Sequence, residues 1–166
     1  GDGTKGQLGN GENTNSNIPI KIEGLSNIEK IDGYKNTSIA LTNDGKVYIW
    51  GEGYNLLPTQ IDFSHNVADI SGSLILGEDG FIYNISDLTK PLENIYKISK
   101  ISCGEAHNLA LADNGTVYSW GKNTYGEVGT EATGTISVTE IAYNMQEISA
   151  GNCTSLLLSE EEKLYV

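Results

Sequence analysis

The chain has 166 residues, 38% of them hydrophobic, which is enough for a folded core and unlike a disordered composition. It carries 22 acidic residues against 10 basic ones, a formal charge of −12, and every basic residue is lysine. No three basic residues stand together, which argues against a nucleic-acid partner, and no run approaches the ~18 apolar residues of a membrane-spanning helix.

The chain opens on a glycine-rich stretch, "GDGTKGQLGNG". It is not a phosphate cradle: the Gly-Lys-Ser/Thr ending is missing and no helical pattern follows. "IEKIDG" comes next, then "SIAL" and "KVYIW" on either side of Asp44-Gly45. The same order returns as "VADISG" with "LIL" and "FIYNI" around Asp79-Gly80. It returns again as "SKISCGEAH" with "NLAL" and "TVYSW" around Asn114-Gly115. A last copy is "QEISAGN" and "SLLLSEEEKLYV", with Glu160-Glu161-Glu162-Lys163 as its turn.

Gly45, Gly80 and Gly115 stand 35 residues apart. Asp-Gly or Asn-Gly between strands predicts a type I′ hairpin turn, with positive φ at both central residues. Tyr48, Tyr83, Tyr118 and Tyr165 hold one repeat position, and Trp50 and Trp120 another. After Trp120, "GKNTYGEVGTE" parallels the opening, pairing Gly1, Gly6 and Gly9 with Gly121, Gly126 and Gly129. Glycines at such fixed offsets predict tight turns of positive φ.

Strands such as "NLALA" and "SLLLS" are apolar on both faces, as expected where neighbours cover each sheet on both sides. Short strands, hairpins and a period of 35 to 50 residues predict an all-β fold of propeller blades; a two-sheet sandwich is the alternative. Counted from tryptophan to tryptophan, the units are 1–50, 51–85, 86–120 and 121–166. The chain starts just after one tryptophan position and stops just before another. It therefore reads as a partial array with cut ends, whose open blade edges invite self-association.

The pattern of "GDGTKGQLGNG", "IEKIDG" and "ALTNDGKVYIWG" resembles the regulator of chromosome condensation repeat family. "KISCGEAHNLALADNGTVYSWG" carries the resemblance further, with Gly104 and His107 on the family's Gly-x-x-His. The second repeat is degenerate, the fourth has Thr154 at the place of His107, and the first has Tyr34 at the place of Gly104. The resemblance implies a seven-bladed ring, of which about four blades are present. It also implies protein partners, since the family includes a guanine-nucleotide exchange factor and inhibitors that cap β-lactamases.

Residues for chemistry are sparse. His107 reads as a structural hydrogen-bonder of its repeat position. Asp62, Ser64 and His65 are too close in sequence to face one another as a triad. No metal-ligand spacing occurs, and "TNDG" and "GEDG" are too short for calcium loops. The expectation is no catalytic residue, no metal and no cofactor. Cys103 and Cys153 lie in "ISCG" and "AGNCT", which predicts buried, unbridged, inert thiols. Gly45, Gly80, Gly104, His107, Gly115 and the recurring Tyr48, Tyr83, Tyr118, Tyr165, Trp50 and Trp120 read as scaffold.

Tyr54, Phe63, Tyr125 and Tyr143 fall outside those shared slots, in connections, where exposed aromatics anchor partners. The function expected is a non-catalytic propeller module that binds a protein through inter-blade loops, with Tyr54, Phe63, Tyr125 and Glu127 as contacts. Two alternatives stay open: an enzyme or small-molecule site at the propeller axis, and an exchange-factor-like regulator. The lysine-only, asparagine-rich composition suggests a bacterial chain; separately, an extracellular or cell-surface place is expected over a cytoplasmic one.

Overall fold

The computed structural model describes residues Gly1–Val166 and contains no helix. Its strands make four antiparallel sheets, two of four strands and two of three. The chain falls into two compact units, Gly1–Gly72 and Ser73–Val166.

In the first unit, β1 (Ile28–Tyr34), β2 (Thr37–Thr42), β3 (Val47–Gly51) and β4 (Thr59–Gln60) pair in sequence order. Strand β5 (Val67–Ser71) packs beside β1 and β2. Ile39, Leu41, Val47 and Ile49 are buried, together with Val67 and Ile70 of β5. The Asp32 carboxylate at the end of β1 accepts hydrogen bonds from Ser71 Oγ at 3.0 Å and Gly72 N at 2.8 Å. One acidic side chain thus pins the first sheet to the strand that follows it.

In the second unit, β6 (Leu74–Gly77) and β7 (Ile82–Asn84) form a hairpin. A four-stranded sheet follows, from β8 (Ile98–Cys103), β9 (His107–Ala112), β10 (Val117–Asn123) and β11 (Gly134–Ala142). The last sheet holds β12 (Met145–Ala150), β13 (Ser155–Ser159) and β14 (Leu164–Tyr165). Burial on both faces of β9 follows from its neighbours. Ala110 and Ala112 pack with Leu74, Leu76 and Ile82 on one side, while Leu109, Leu111 and Val117 pack with Ile148 on the other. The sheets are not phased from tryptophan to tryptophan: β4 and β11, which follow Trp50 and Trp120, pair back onto β3 and β10.

All four hairpins close alike, but not as type I′ turns. In the first, Thr42 N donates to Lys46 O and Gly45 N to Thr42 O, each at 2.9 Å. The pairs Gly77–Phe81, Ala112–Thr116 and Ser159–Lys163 repeat this bond, each at 2.9 Å. Positive φ occurs at one residue per turn: Gly45 (77°), Gly80 (78°), Gly115 (79°) and Glu162 (63°). These are three-residue loops with one left-handed residue in a bulge, so the expectation of positive φ at Asp44, Asp79 and Asn114 is corrected. The extra residue lets a right-handed turn join twisted strands, and only its last position needs glycine-like freedom.

Candidate interaction site

In the first unit the opening glycine-rich loop is folded onto Trp50. Gly6 N donates to Gly3 O at 2.9 Å and Gly9 N to Gly6 O at 3.0 Å, making two tight turns. The Gln7 carbonyl between them accepts Trp50 Nε1 at 3.0 Å and Ser38 Oγ at 2.9 Å. Gly9, at φ 70°, must lack a side chain, because a Cβ there would lie 2.6 Å from Trp50 Nε1. Sequence reading found these glycines; their purpose, seating an indole edge, is tertiary.

The second unit builds the parallel loop from Gly121 to Gly129. Gly129 N donates to Gly126 O at 2.9 Å, and Ser155 Oγ donates to the Glu127 carbonyl at 2.7 Å. Ser155 thus does for Glu127 what Ser38 does for Gln7. Asn123, 2% exposed, secures the loop from inside, accepting Val128 N at 2.9 Å and donating to Thr130 O at 3.0 Å.

Beneath this loop His107 is 1% exposed, with Nε2 at 2.9 Å from Ser155 Oγ. Burial pushes the imidazole below its usual titration range, opposed in part by the nearby Glu127 carboxylate. The single hydroxyl proton of Ser155 goes to the Glu127 carbonyl, so Nε2 is the donor to Ser155 and Nδ1 is left without a partner. Ser38 makes the same loop bond in the first unit with no histidine beside it, which makes Ser155 a clamp and His107 its support.

Glu127, expected as an exposed contact, is 4% exposed. Its carboxylate accepts Tyr125 N at 2.7 Å, and that bond holds its carboxyl below the usual range. The tight turn at Gly126 faces the side chain back onto its own loop, so charge in a loop did not mean exposure. The other expected contacts divide between the units. Tyr54 of the first unit is 45% exposed, and Phe63 is half-buried with its ring 5.2 Å from that of His65. Tyr125 of the second unit is 77% exposed.

Tyr125 is joined on one rim by Tyr143 and Tyr165. All three line a cavity of about 590 Å³ whose wall includes Glu127, Gly129, Ile141, Ser155 and Leu157. Tyr143 Oη donates to Glu140 Oε2 at 2.8 Å, which raises the phenol's pKa. Tyr165 shares a repeat slot with Tyr83, which is 3% exposed, yet is itself 48% exposed. Scaffold position alone therefore did not reveal it as part of the cavity lining.

Neither cysteine is in a disulfide. Cys103, the last residue of β8, is half-buried and its Sγ donates to Asn108 Oδ1 at 2.8 Å. Cys153 is exposed, which corrects the expectation of burial: it stands in the connection between β12 and β13, not on an inner strand. No group of three or more His, Cys, Asp or Glu side chains is placed to hold a metal ion.

Two models of the regulator of chromosome condensation (RCC1) repeat match the chain, one over residues 28–55 and 98–127, the other over 1–41 and 114–158. The ultraviolet-B receptor UVR8 of Arabidopsis thaliana is 33% identical over 126 residues, 75% of this chain and 24% of the receptor. The probable E3 ubiquitin-protein ligase HERC6 of Homo sapiens is 31% identical over 131 residues, 78% of this chain and 11% of that protein. The chain thus spans a quarter or less of these relatives. Human WBSCR16 superposes with a TM-score of 0.80 at 18% identity, covering 96% of this chain and 52% of its own. Prp20p of Saccharomyces cerevisiae gives 0.77 at 23% identity, covering 98% and 52%. Repeat motifs, hairpin sheets and these superpositions agree: the sheets are β-propeller blades, and the chain belongs to the regulator of chromosome condensation (RCC1) repeat family.

Proposed function

We propose that the chain is a non-catalytic module that binds another protein through the tyrosine-rimmed cavity of its second unit. The observation that carries this is the convergence of Tyr125 and Tyr143, exposed by 77% and 59%, on one cavity. Tyrosine gives a large contact area at a small entropy cost and keeps a polar tip for hydrogen bonding, which suits an interface anchor. Glu140 beside Tyr143 and the charge of −12 favour approach by a basic surface. The hydroxyl of Ser155 is engaged as a loop clamp, so the cavity wall offers a fixed surface more readily than a nucleophile.

The relatives fit a binding role without defining it. The Prp20p structure is described with binding properties to Gsp1p and histones, and HERC6 is named as a probable ligase. Each of those descriptions belongs to a protein much longer than the part aligned with this chain.

The test is affinity capture of partners from the native source, with Tyr125→Ala and Tyr143→Ala against the unaltered chain. Truncating anchor tyrosines should cut recovery by about tenfold or more, whereas Tyr54→Ala in the first unit should leave it unchanged. Full recovery with both tyrosines removed would discard this surface.

A further inference from the structure

One slot of the repeat carries a tyrosine twice in the second unit. Lys97 and Asn144 are left-handed, at φ 54° and 58°, and their carbonyls accept Asp113 N and Glu160 N, each at 2.9 Å. Tyr96 and Tyr143 immediately precede them and are exposed by 58% and 59%. Tyr96 lies mid-chain, between β7 and β8, with its ring edge-on to Phe81 at 6.2 Å. The matching exposures make the outward position a property of the slot. The first unit repeats the geometry, with Asn27 at φ 54° and its carbonyl on Asn43 N, but puts Ser26 before it.

Tyr118 and Glu140 link the two tyrosines. Tyr118 stands across from Glu140 in the β10–β11 register, where Tyr48 of the first unit stands across from Gln60. Glu140 is exposed, and its Oε2 accepts Tyr143 Oη at 2.8 Å. Burial, and after it the Glu140 carboxylate, push the Tyr118 phenol up, with Tyr96 also in electrostatic range. The same carboxylate raises the Tyr143 phenol, which also feels Tyr118. No lysine of the chain pairs with Glu140. An ionised carboxylate offers about four lone-pair sites, so the Tyr143 bond leaves room for a two-pronged donor.

We infer that Glu140, with Tyr118 and Tyr143 beside it and Tyr96 next to Tyr118, receives the guanidinium of an arginine on the partner. Two parallel N–H donors meet the carboxylate while the planar cation rests against tyrosine rings. Lysine, a compact and strongly hydrated point charge, matches neither the fork nor the rings as well. The acceptor is an anion in a chain of charge −12, which commits the surface to a basic occupant. The inference deepens the protein-binding reading by naming the group the surface takes. It rests on that reading only for where the arginine comes from.

The probe is N-acetylargininamide, titrated into the intact chain while the Tyr96, Tyr118 and Tyr143 ring resonances are followed. Saturable shifts are expected, with N-acetylcitrullinamide, the neutral isostere, binding about tenfold more weakly or worse. N-acetyllysinamide should bind about threefold more weakly. Glu140→Gln gives β11 the residue that β4 carries at this position, and should abolish saturation while leaving the fold intact. Absence of saturable shifts, equal binding of the citrulline or lysine amide, or unchanged binding by folded Glu140→Gln would overturn the inference. Partner capture lost with Tyr125→Ala but kept with Glu140→Gln, with no binding of the arginine amide, would leave the protein-binding surface standing and remove the arginine site.

Discussion

His107 shows at the scale of one residue how a repeat position becomes a pH-dependent support. Its Nδ1 lies buried without a partner, closed in by Gly104, where a Cβ would come within 2.7 Å of that nitrogen. Protonation would bury an unpaired N–H, so the folded pKa lies below the ordinary value. In the unfolded chain a histidine takes its proton near pH ~6.5, before the folded form does. The unfolded state therefore binds more protons as pH falls, and stability drops below about pH 6.5 until the folded pKa is passed. Urea midpoints should decline between pH 7 and 5.5 in the unaltered chain, with the second unit responding. His107→Gln should flatten that decline and cost about 1–3 kcal/mol at pH 7 through the lost bond to Ser155. An unchanged slope in the variant would assign the decline elsewhere.

At the scale of the element, the hairpin turn is the repeated device. Three turns put glycine at the left-handed position, while the fourth puts Glu162 there at φ 63°. The bonds are the same, Glu162 N to Ser159 O and Ser159 N to Lys163 O, both at 2.9 Å. Glutamate thus holds a conformation that costs an L-residue about 1 kcal/mol or more. Glu162→Gly should raise stability by about 0.5 kcal/mol, the relieved strain being partly offset by the freer unfolded chain. The reverse experiment is harsher. Gly115→Ala places a Cβ 3.2 Å from Asn144 Cα, Met145 N and Met145 O at φ 79°, and should cost about 2 kcal/mol. Thermal unfolding of both variants against the parent checks the opposite signs. A destabilised Glu162→Gly variant would mean that the glutamate side chain itself supports the turn.

Over the whole molecule, equal sequence positions have unequal surroundings. Ile31, Ile101 and Ile148 pair with Ala40, Ala110 and Leu157, and each follows a bulge near the start of its strand. Their relative exposures are 72%, 6% and 7%. Ile101 is packed with Leu74, Leu76 and Ile82, whereas no side chain of its own unit covers Ile31 to that degree. Ile101→Ala should cost about 2–4 kcal/mol by opening a cavity, while Ile31→Ala should stay within about 0.5 kcal/mol of the parent. Denaturant titration distinguishes them, and equal losses at the two sites would show that Ile31 is covered in solution.

The sequence by itself determined the three strands around each hairpin, where the hairpins turn and that the unit repeats, but not β4 and β11, which lie in stretches it read as connections. Those properties depend on short apolar, β-branched and aromatic runs and on a backbone torsion at Gly45, Gly80 and Gly115, and both are local. It also placed the paired glycine-rich loops, because Gly6, Gly9, Gly126 and Gly129 are required by tight turns within the loops themselves. Tertiary structure decided what those loops do. Glu127 is buried because Gly126 turns it inward and its carboxylate meets Tyr125 N. Cys153 is exposed because β12 ends at Ala150, three residues before it, and leaves it in a connection. In each case the deciding quantity is which distant group covers a face, and a side chain's own neighbours in sequence carry no information about that.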